Sequence, residues 1–504
     1  MTDETTEQGH ETRQQIRPDI CVIGAGAGGL AAAAAAAAFG VNVVLIENGG
    51  MGSANLGGAN LGGASLGGAS SSAGGLPAKA LIAAAERANA YRNGARFGVK
   101  SARYGVDFAA VRAHVHDVLA AVAPQQSRER FNGLGVRVIE GIGRFRDAET
   151  VAVNGFDVKA RRFVIATGGS PALPQIPGLA ETPHLTDATV FELADCPRHL
   201  IVIGAGAAGL ELAQAFRRLG ADVTVLDAAA PLGGADPECA GVVLDALARE
   251  GVVIRAGVTI ARVRRALARV QVDIVTVAGE ATIKETIEGT HILVAAGRRP
   301  NLDELDLDAA GIDYEPHGIT VDRRLRTSNK HVYAIGEVTG APPFTHLANH
   351  HAGLVIRNAL FRTPINADRY AVPAVTCTDP ELAQVGMSEE EARAHSGVIR
   401  VLRSSYREND RAQASGATSG HIKIITDRRG DILGATIVGA GAAENIAAWA
   451  LAINQKLNID ALAGVIVPYP TYAEVGKRAA MTYFTRGLTS PLVRRIIGWL
   501  RRFG

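Results

Sequence analysis

Two apolar runs, Ile20-Cys21-Val22-Ile23 and Leu200-Ile201-Val202-Ile203, show no polar alternation. Each is followed by a cluster of glycines and then by an alanine- and leucine-rich stretch of helical character. A run apolar at every position predicts a strand buried on both faces. Each unit closes on a second such run that ends in an acid: Val43-Val44-Leu45-Ile46-Glu47, and Val223-Thr224-Val225-Leu226-Asp227. Asp19 to Glu47 thus reads strand, helix, strand, and the second unit repeats it. Two further buried strands, Arg162-Phe163-Val164-Ile165 and Ile292-Leu293-Val294, flank the second unit and end in small residues. A chain that crosses between domains there needs such tight turns. The pattern predicts an α/β protein in which one strand–helix–strand domain is inserted into another, with Val332 to Glu337 returning to the first. After Pro373 alternating strands (Gly420 to Thr426, Ile432 to Val438) and a helix from Ala442 to Leu457 predict a third, α+β domain.

Length and charge narrow the class. At 504 residues the chain needs about three cores. A formal net charge of +2 excludes a strongly basic nucleic-acid footprint, and no nucleic-acid partner is expected. Met1 to Arg17 is polar with no apolar core, so residues 1–18 read as a disordered tail and not as a signal peptide. Ala31 to Ala38 is far shorter than the roughly 20 residues of a membrane span. The four cysteines, Cys21, Cys196, Cys239 and Cys377, are widely separated with no CxxC or ligand spacing. A cytoplasmic protein with no structural disulfide and no metal site is expected.

The glycine clusters carry the chemistry. Gly24-Ala25-Gly26-Ala27-Gly28-Gly29 and Gly204-Ala205-Gly206-Ala207-Ala208-Gly209 are both GxGxxG, each set between a strand and a helix. The first two glycines (Gly24 and Gly26, Gly204 and Gly206) allow a tight turn and close approach of backbone to a pyrophosphate. The third (Gly29, Gly209) lets helix pack on strand, and the helix N-terminus offers free N–H groups to phosphate. Glu47 and Asp227, about twenty residues on, are placed to hold ribose hydroxyls. The fold class expected is therefore two Rossmann-like dinucleotide-binding domains, and two dinucleotides suggest electron transfer between them. Asp227 favours NADH over NADPH, because a carboxylate repels a 2′-phosphate and no arginine follows it in Ala228 to Leu232.

The order of these motifs with Ala166-Thr167-Gly168-Gly169, Ala295 to Asn301 (AAGRRPN), Tyr333 to Gly340 (YAIGEVTG) and Thr378 to Gly386 (TDPELAQVG) resembles the pyridine-nucleotide disulfide oxidoreductases, from about Asp19 to about Ala480. Within them it is most similar to the dihydrolipoamide dehydrogenase and mercuric reductase branch. The resemblance implies FAD on the first fingerprint, NAD(P)H on the second, and a homodimer made by the third domain. It places residues 19–170 and 291–365 in the FAD-binding domain, 171–290 in the NAD(H)-binding domain, and 366–490 in the dimerisation domain. Thr167, Gly168, Gly297 and Gly336 fall in the implied cofactor-binding turns. Glu337 stands where the family has an aspartate against the flavin's sugar alcohol. Lys79 matches the family's lysine beside flavin N5, and Glu211 matches the glutamate paired with it. A cation there stabilises the charge of the reduced flavin. The plainer alternative is a surface lysine and a helix glutamate.

The chain departs from the family where the redox disulfide belongs. Ala54 to Gly75 is a glycine-rich repeat, with Ser70 and Gly75 at the two cysteine positions and no cysteine between Cys21 and Cys196. Neither residue can cycle through a disulfide. The segment Arg501 to Gly504 also lacks the cysteine pair with which mercuric reductases collect metal. In the partner-subunit motif, Tyr469 replaces the family's histidine while Glu474 is retained. Tyrosine there is a hydrogen-bond donor or an aromatic packed at the dimer interface. His346 matches a family segment near the flavin, where backbone contacts are expected to matter, and His350 and His351 are expected to be structural.

Residues 491–504 form a separate unit. On a helix, Leu492, Val493, Ile496, Ile497, Trp499, Leu500 and Phe503 fall on one arc, opposite Arg494, Arg495, Arg501 and Arg502. That pattern suits either a helix peripheral to an anionic membrane, at its inner face, or one packed on its own dimer. The expectation is a homodimeric FAD enzyme that oxidises NADH and reduces a small non-disulfide acceptor such as a quinone. Two rivals stand beside it: a disulfide or mercuric reductase, and a catalytically silent flavin-binding scaffold.

Overall fold

The computed structural model describes residues 13–49, 51, 75–99, 105–267, 269–278, 281–488 and 491–503. The glycine repeat with Ser70 lies outside the described residues except for Gly75, as does the tail up to residue 12. The first sheet is parallel and five-stranded, in the order Val332–Ala334, Arg162–Ile165, Ile20–Ile23, Val43–Glu47, Val136–Glu140. Its central strand shows why the sequence has no alternation. Ile20 and Val22 join one core cluster and Cys21 and Ile23 another, so successive side chains enter opposite faces and both faces are dry. The helix Ala27–Ala37 covers one face through the small side chains of Ala32, Ala33 and Ala36, which are fully buried. The other face is closed by a small sheet containing Arg144–Asp147, Thr150–Val153 and Phe156–Val158.

The second parallel sheet repeats the arrangement in the order Leu185–Thr186, His291–Val294, His199–Ile203, Asp222–Asp227, Val252–Ala256. Here Leu200 and Val202 face one cluster, and Ile201 and Ile203 the other. Full burial of each such aliphatic side chain stabilises the domain by about 1.5–3 kcal/mol. The third domain is an antiparallel sheet, Ala374–Thr376, Leu382–Gly386, Ile432–Val438, His421–Asp427, Ile399–Ser405, backed by the helices Ala442–Asn454 and Glu474–Leu488.

Two expectations need correction. Gln14–Ile16, placed in the disordered tail, forms a strand parallel to Phe156–Val158. The sheet edge there offers unpaired backbone groups and Ile16 packs on the adjacent core, and pairing of this non-local kind leaves no local signature. The terminal helix spans Pro491–Leu500 and stops short of Phe503, whose ring instead packs on Trp499 at 4.8 Å.

Candidate active site

The two glycine loops are built alike. Gly24 and Gly204 have φ of +101° and +111°, and a Cβ on either would meet the carbonyl oxygen of Ala166 at 2.6 Å or of Ala295 at 2.3 Å. At Gly29 and Gly209 a Cβ would lie 1.8 and 2.0 Å from the carbonyls of Gly24 and Gly204, so helix and loop touch backbone to backbone. Gly206 differs: a Cβ there would meet nothing within 4 Å. No side chain caps the helix that starts after Gly26 or the one after Gly206. A helix N-terminus with no side-chain cap fits the pyrophosphate of a dinucleotide at both loops, and at the second the space in front of Gly206 is open.

The two acids stand beside these loops. Glu47 accepts from the N–H of Ala25 and, at 2.9 Å, from that of Gly49. Burial pushes its carboxyl up, against the backbone N–H groups that favour the charged form. Asp227 accepts from Ala205 at 2.6 Å and from Ala229 at 2.8 Å. Each carboxylate is thereby anchored at the end of its strand, with lone pairs left for sugar hydroxyls.

The crossings between domains are stapled by Asn301. It donates to Thr167 O, accepts from Ser170 and, through its backbone, meets the Thr167 hydroxyl and Gly168 O, at 2.8–3.0 Å. Ala172 N donates to Gly297 O at 2.9 Å. Arg298, next in the chain, bonds Glu337 at 2.7 Å, Asp187 at 2.8 Å and the carbonyl of Gly169. Glu337 therefore already has a cationic partner. The N–H of Gly336 donates to His351 Nδ1 at 3.4 Å, and His351 is buried.

Lys79 and Glu211 meet. The Leu76–Arg92 helix, carrying Lys79, packs on the Ala207–Leu219 helix, and Lys79 Nζ donates to Glu211 Oε2 at 2.6 Å. Glu211 Oε1 accepts the N–H of Cys377 at 2.6 Å, and the Cys377 thiol hydrogen-bonds Lys79. Burial lowers the lysine's pKa, but the Glu211 carboxylate beside it raises it and the net shift is upward. The ammonium is thus charged at neutral pH. Burial and Glu211 raise the Cys377 thiol against the pull of Lys79, so it stays neutral.

Tyr469 and Glu474 are not brought to this cluster within one chain. The Tyr469 hydroxyl donates to Asp410 at 2.9 Å, and Glu474 accepts from Thr471 N at 3.3 Å. Asp410 raises the phenol's pKa and keeps its proton on. His346 bonds the carbonyl of Pro373 at 2.9 Å.

Residues 18–352 match the pyridine nucleotide-disulphide oxidoreductase family, and residues 372–480 match its dimerisation domain. The chain belongs to this family. The mercuric reductase of Lysinibacillus sphaericus is 33% identical over 92% of this chain and 82% of that protein. The dihydrolipoyl dehydrogenase of Geobacillus stearothermophilus is 34% identical over 92% and 96%. In structure the chain is similar to RclA, an HOCl-induced flavoprotein disulfide reductase from Escherichia coli, with a TM-score of 0.77, 25% identity, and 92% and 99% of the two chains covered. Family members are FAD-dependent NAD(P)H oxidoreductases. The dimerisation domain supports a homodimer. Among the described residues no helix is long and apolar enough to cross a membrane.

The residues that sequence reasoning missed are Cys377, Arg298 and Asn301. Arg298 and Asn301 lie inside the AAGRRPN motif and could have been found there. Cys377 carries no local signal, because its importance comes from an approach to Lys79 across three domains.

Proposed function

We propose that the protein is a homodimeric FAD enzyme that oxidises NADH and reduces a small non-disulfide acceptor of the quinone type. The observation that carries this reading is a retained Lys79–Glu211 pair in a chain with no cysteine between Cys21 and Cys196. The cation for flavin chemistry is present while the thiols that would relay electrons to a disulfide are not. FAD, when bound, supplies the two-electron store between NADH and the acceptor. Gly24, Gly26 and Gly29 would cradle its pyrophosphate, with Glu47 at the ribose and Thr167, Gly168, Gly297, Gly336 and Glu337 around the rest. Gly204, Gly206, Gly209 and Asp227 would hold NADH. Lys79 holds positive charge where negative charge develops, and Glu211 orients it. In the dimer the second copy would bring Tyr469, as a hydrogen-bond donor, and Glu474 toward the acceptor.

The terminal segment supports a peripheral membrane contact, which suits a lipid-soluble acceptor. Ile496, Ile497, Trp499, Leu500 and Phe503 are exposed, beside the exposed Arg494, Arg495, Arg501 and Arg502. No acid follows Glu474 in the chain, so the whole segment is cationic. Apolar area and arginine together match an anionic lipid surface.

The test is anaerobic stopped-flow mixing with NADH and with NADPH, followed by an acceptor screen. The flavin absorbance is expected to bleach faster with NADH and to return with a quinone. An oxidised flavin after mixing, or turnover with lipoamide, glutathione disulfide or mercuric ion, overturns the reading. Flotation with anionic vesicles, lost on deleting residues 491–504, checks the membrane contact.

A further inference from the structure

The Ala207–Leu219 helix buries three polar side chains that an ordinary packing helix would replace with leucine. Glu211, Gln214 and Arg218 are 6%, 4% and 3% exposed. Spacings of three and four place them on one stripe. All three grip the same short turn of the third domain. Glu211 Oε1 takes the N–H of Cys377 at 2.6 Å. Gln214 accepts from Asp379 N at 2.8 Å and donates to Asp379 O at 2.9 Å. Arg218 Nη2 bonds the Asp379 carboxylate at 2.7 Å, and Glu250 accepts from the same guanidinium at 2.6 and 2.8 Å. Glu250 also takes Gln214 Nε2 at 3.0 Å.

Burying such groups is costly unless each finds a partner, and here each does. The arrangement fixes geometry more than it adds stability, since an apolar stripe would pack without desolvating charge. At the head of the stripe, the other oxygen of Glu211 holds Lys79. Three domains therefore meet on one carboxylate: Lys79 from the first, Glu211 from the second, and the Cys377 backbone from the third.

We propose that Gln214, Arg218 and Asp379 are positioning residues for Lys79. They lock the turn from Cys377 to Asp379, the turn fixes Glu211 through the Cys377 N–H, and Glu211 fixes the ammonium. The cation is then fully oriented only when the third domain is docked, which couples the dimerisation domain to the reductive step. The inference rests on the assignment of Lys79 to the flavin made above.

The experiment uses the full-length FAD-loaded dimer carrying Asp379→Ala, Lys79→Ala or both. The Asp379 side chain is 57% exposed, so its removal is a mild change. Two quantities are read: the rate at which NADH bleaches the flavin, and the rate of Cys377 alkylation by iodoacetamide followed by mass spectrometry. Asp379→Ala is expected to slow bleaching about three- to tenfold and to speed Cys377 alkylation by a similar factor. In the Lys79→Ala background the same change is expected to alter bleaching by less than about twofold, as for two residues acting through one another. Equal effects in both backgrounds, or unchanged rates from Asp379→Ala, overturn the positioning role and leave the function standing. An unchanged rate from Lys79→Ala alone overturns the assignment of Lys79, and this inference with it. If Asp379→Ala does not yield a folded dimer, Gln214→Met is read by the same two measurements with the same outcomes.

Discussion

Lys79 and Glu211 stand 132 residues apart in sequence and 2.6 Å apart in space. Because burial works against the ammonium and Glu211 works for it, the charge on Lys79 depends on its partner. Glu211→Gln keeps the shape and removes the charge, so the lysine pKa is expected to fall. Flavin reduction by NADH should slow by about tenfold or more at neutral pH. Its alkaline limb should also move to lower pH, which a stopped-flow pH profile would read. An unshifted limb would show that Lys79 does not set the rate.

The second glycine loop separates folding from binding. A Cβ on Gly204 would strike Ala295 O in a backbone already at φ +111°, so Gly204→Ala is expected to destabilise the domain by about 2 kcal/mol or more. Gly206 has no positive φ and open space in front of it. Gly206→Ala should leave the melting temperature within a few degrees of the parent while raising KM for NADH, because its methyl occupies the room meant for pyrophosphate. Thermal melts and NADH titrations of the two variants distinguish these outcomes.

Donor choice is expected to follow Asp227. Replacing Asp227 by Ser and Ala228 by Arg removes a repulsive carboxylate and adds a bidentate cation for a 2′-phosphate. The ratio of kcat/KM for NADPH to that for NADH should rise about tenfold or more. Since Asp227 also anchors Ala205 N, the NADH value should fall at the same time. An unchanged ratio would remove Asp227 as the determinant.

Acid should loosen the turn at Gly336. Burial, and then His350, hold the His351 imidazole down at about 4, against an ordinary 6.5. As pH falls from 6.5 toward 4 the unfolded chain takes up the proton first, so stability is full above 6.5 and declines through that window. The linked loss is about 3 kcal/mol. Protonation also ends acceptance of the Gly336 N–H by Nδ1. Melting temperature and FAD retention should both fall over this range, and His351→Leu should flatten that dependence. A variant with the parent's pH profile would place the titration elsewhere.

The strands around both fingerprints were legible because local demands produce them. Ile20 to Ile23 and Leu200 to Ile203 are apolar throughout since both faces of each sheet are covered, and Gly24 and Gly204 are glycine since the turn requires positive φ. The missing cysteines were legible by simple inspection of the chain. Gln14–Ile16 was not legible as a strand, because its partner lies far along the chain at Phe156–Val158. The terminal segment was expected to be helical to Phe503, whereas the helix stops at Leu500 and the Phe503 ring lies against Trp499 one turn earlier.

By itself the sequence determined two nucleotide-binding units, their order along the chain, and the absence of cysteine between Cys21 and Cys196, all of them readable from local segments. Only the tertiary structure decided that Cys377 joins the Lys79–Glu211 pair, that Glu337 is shared with Arg298, and that Gln214 and Arg218 clasp Asp379. Those contacts depend on how three domains dock, and a buried polar group takes whichever partner the docking presents. Periodicity along the chain carries no trace of that choice.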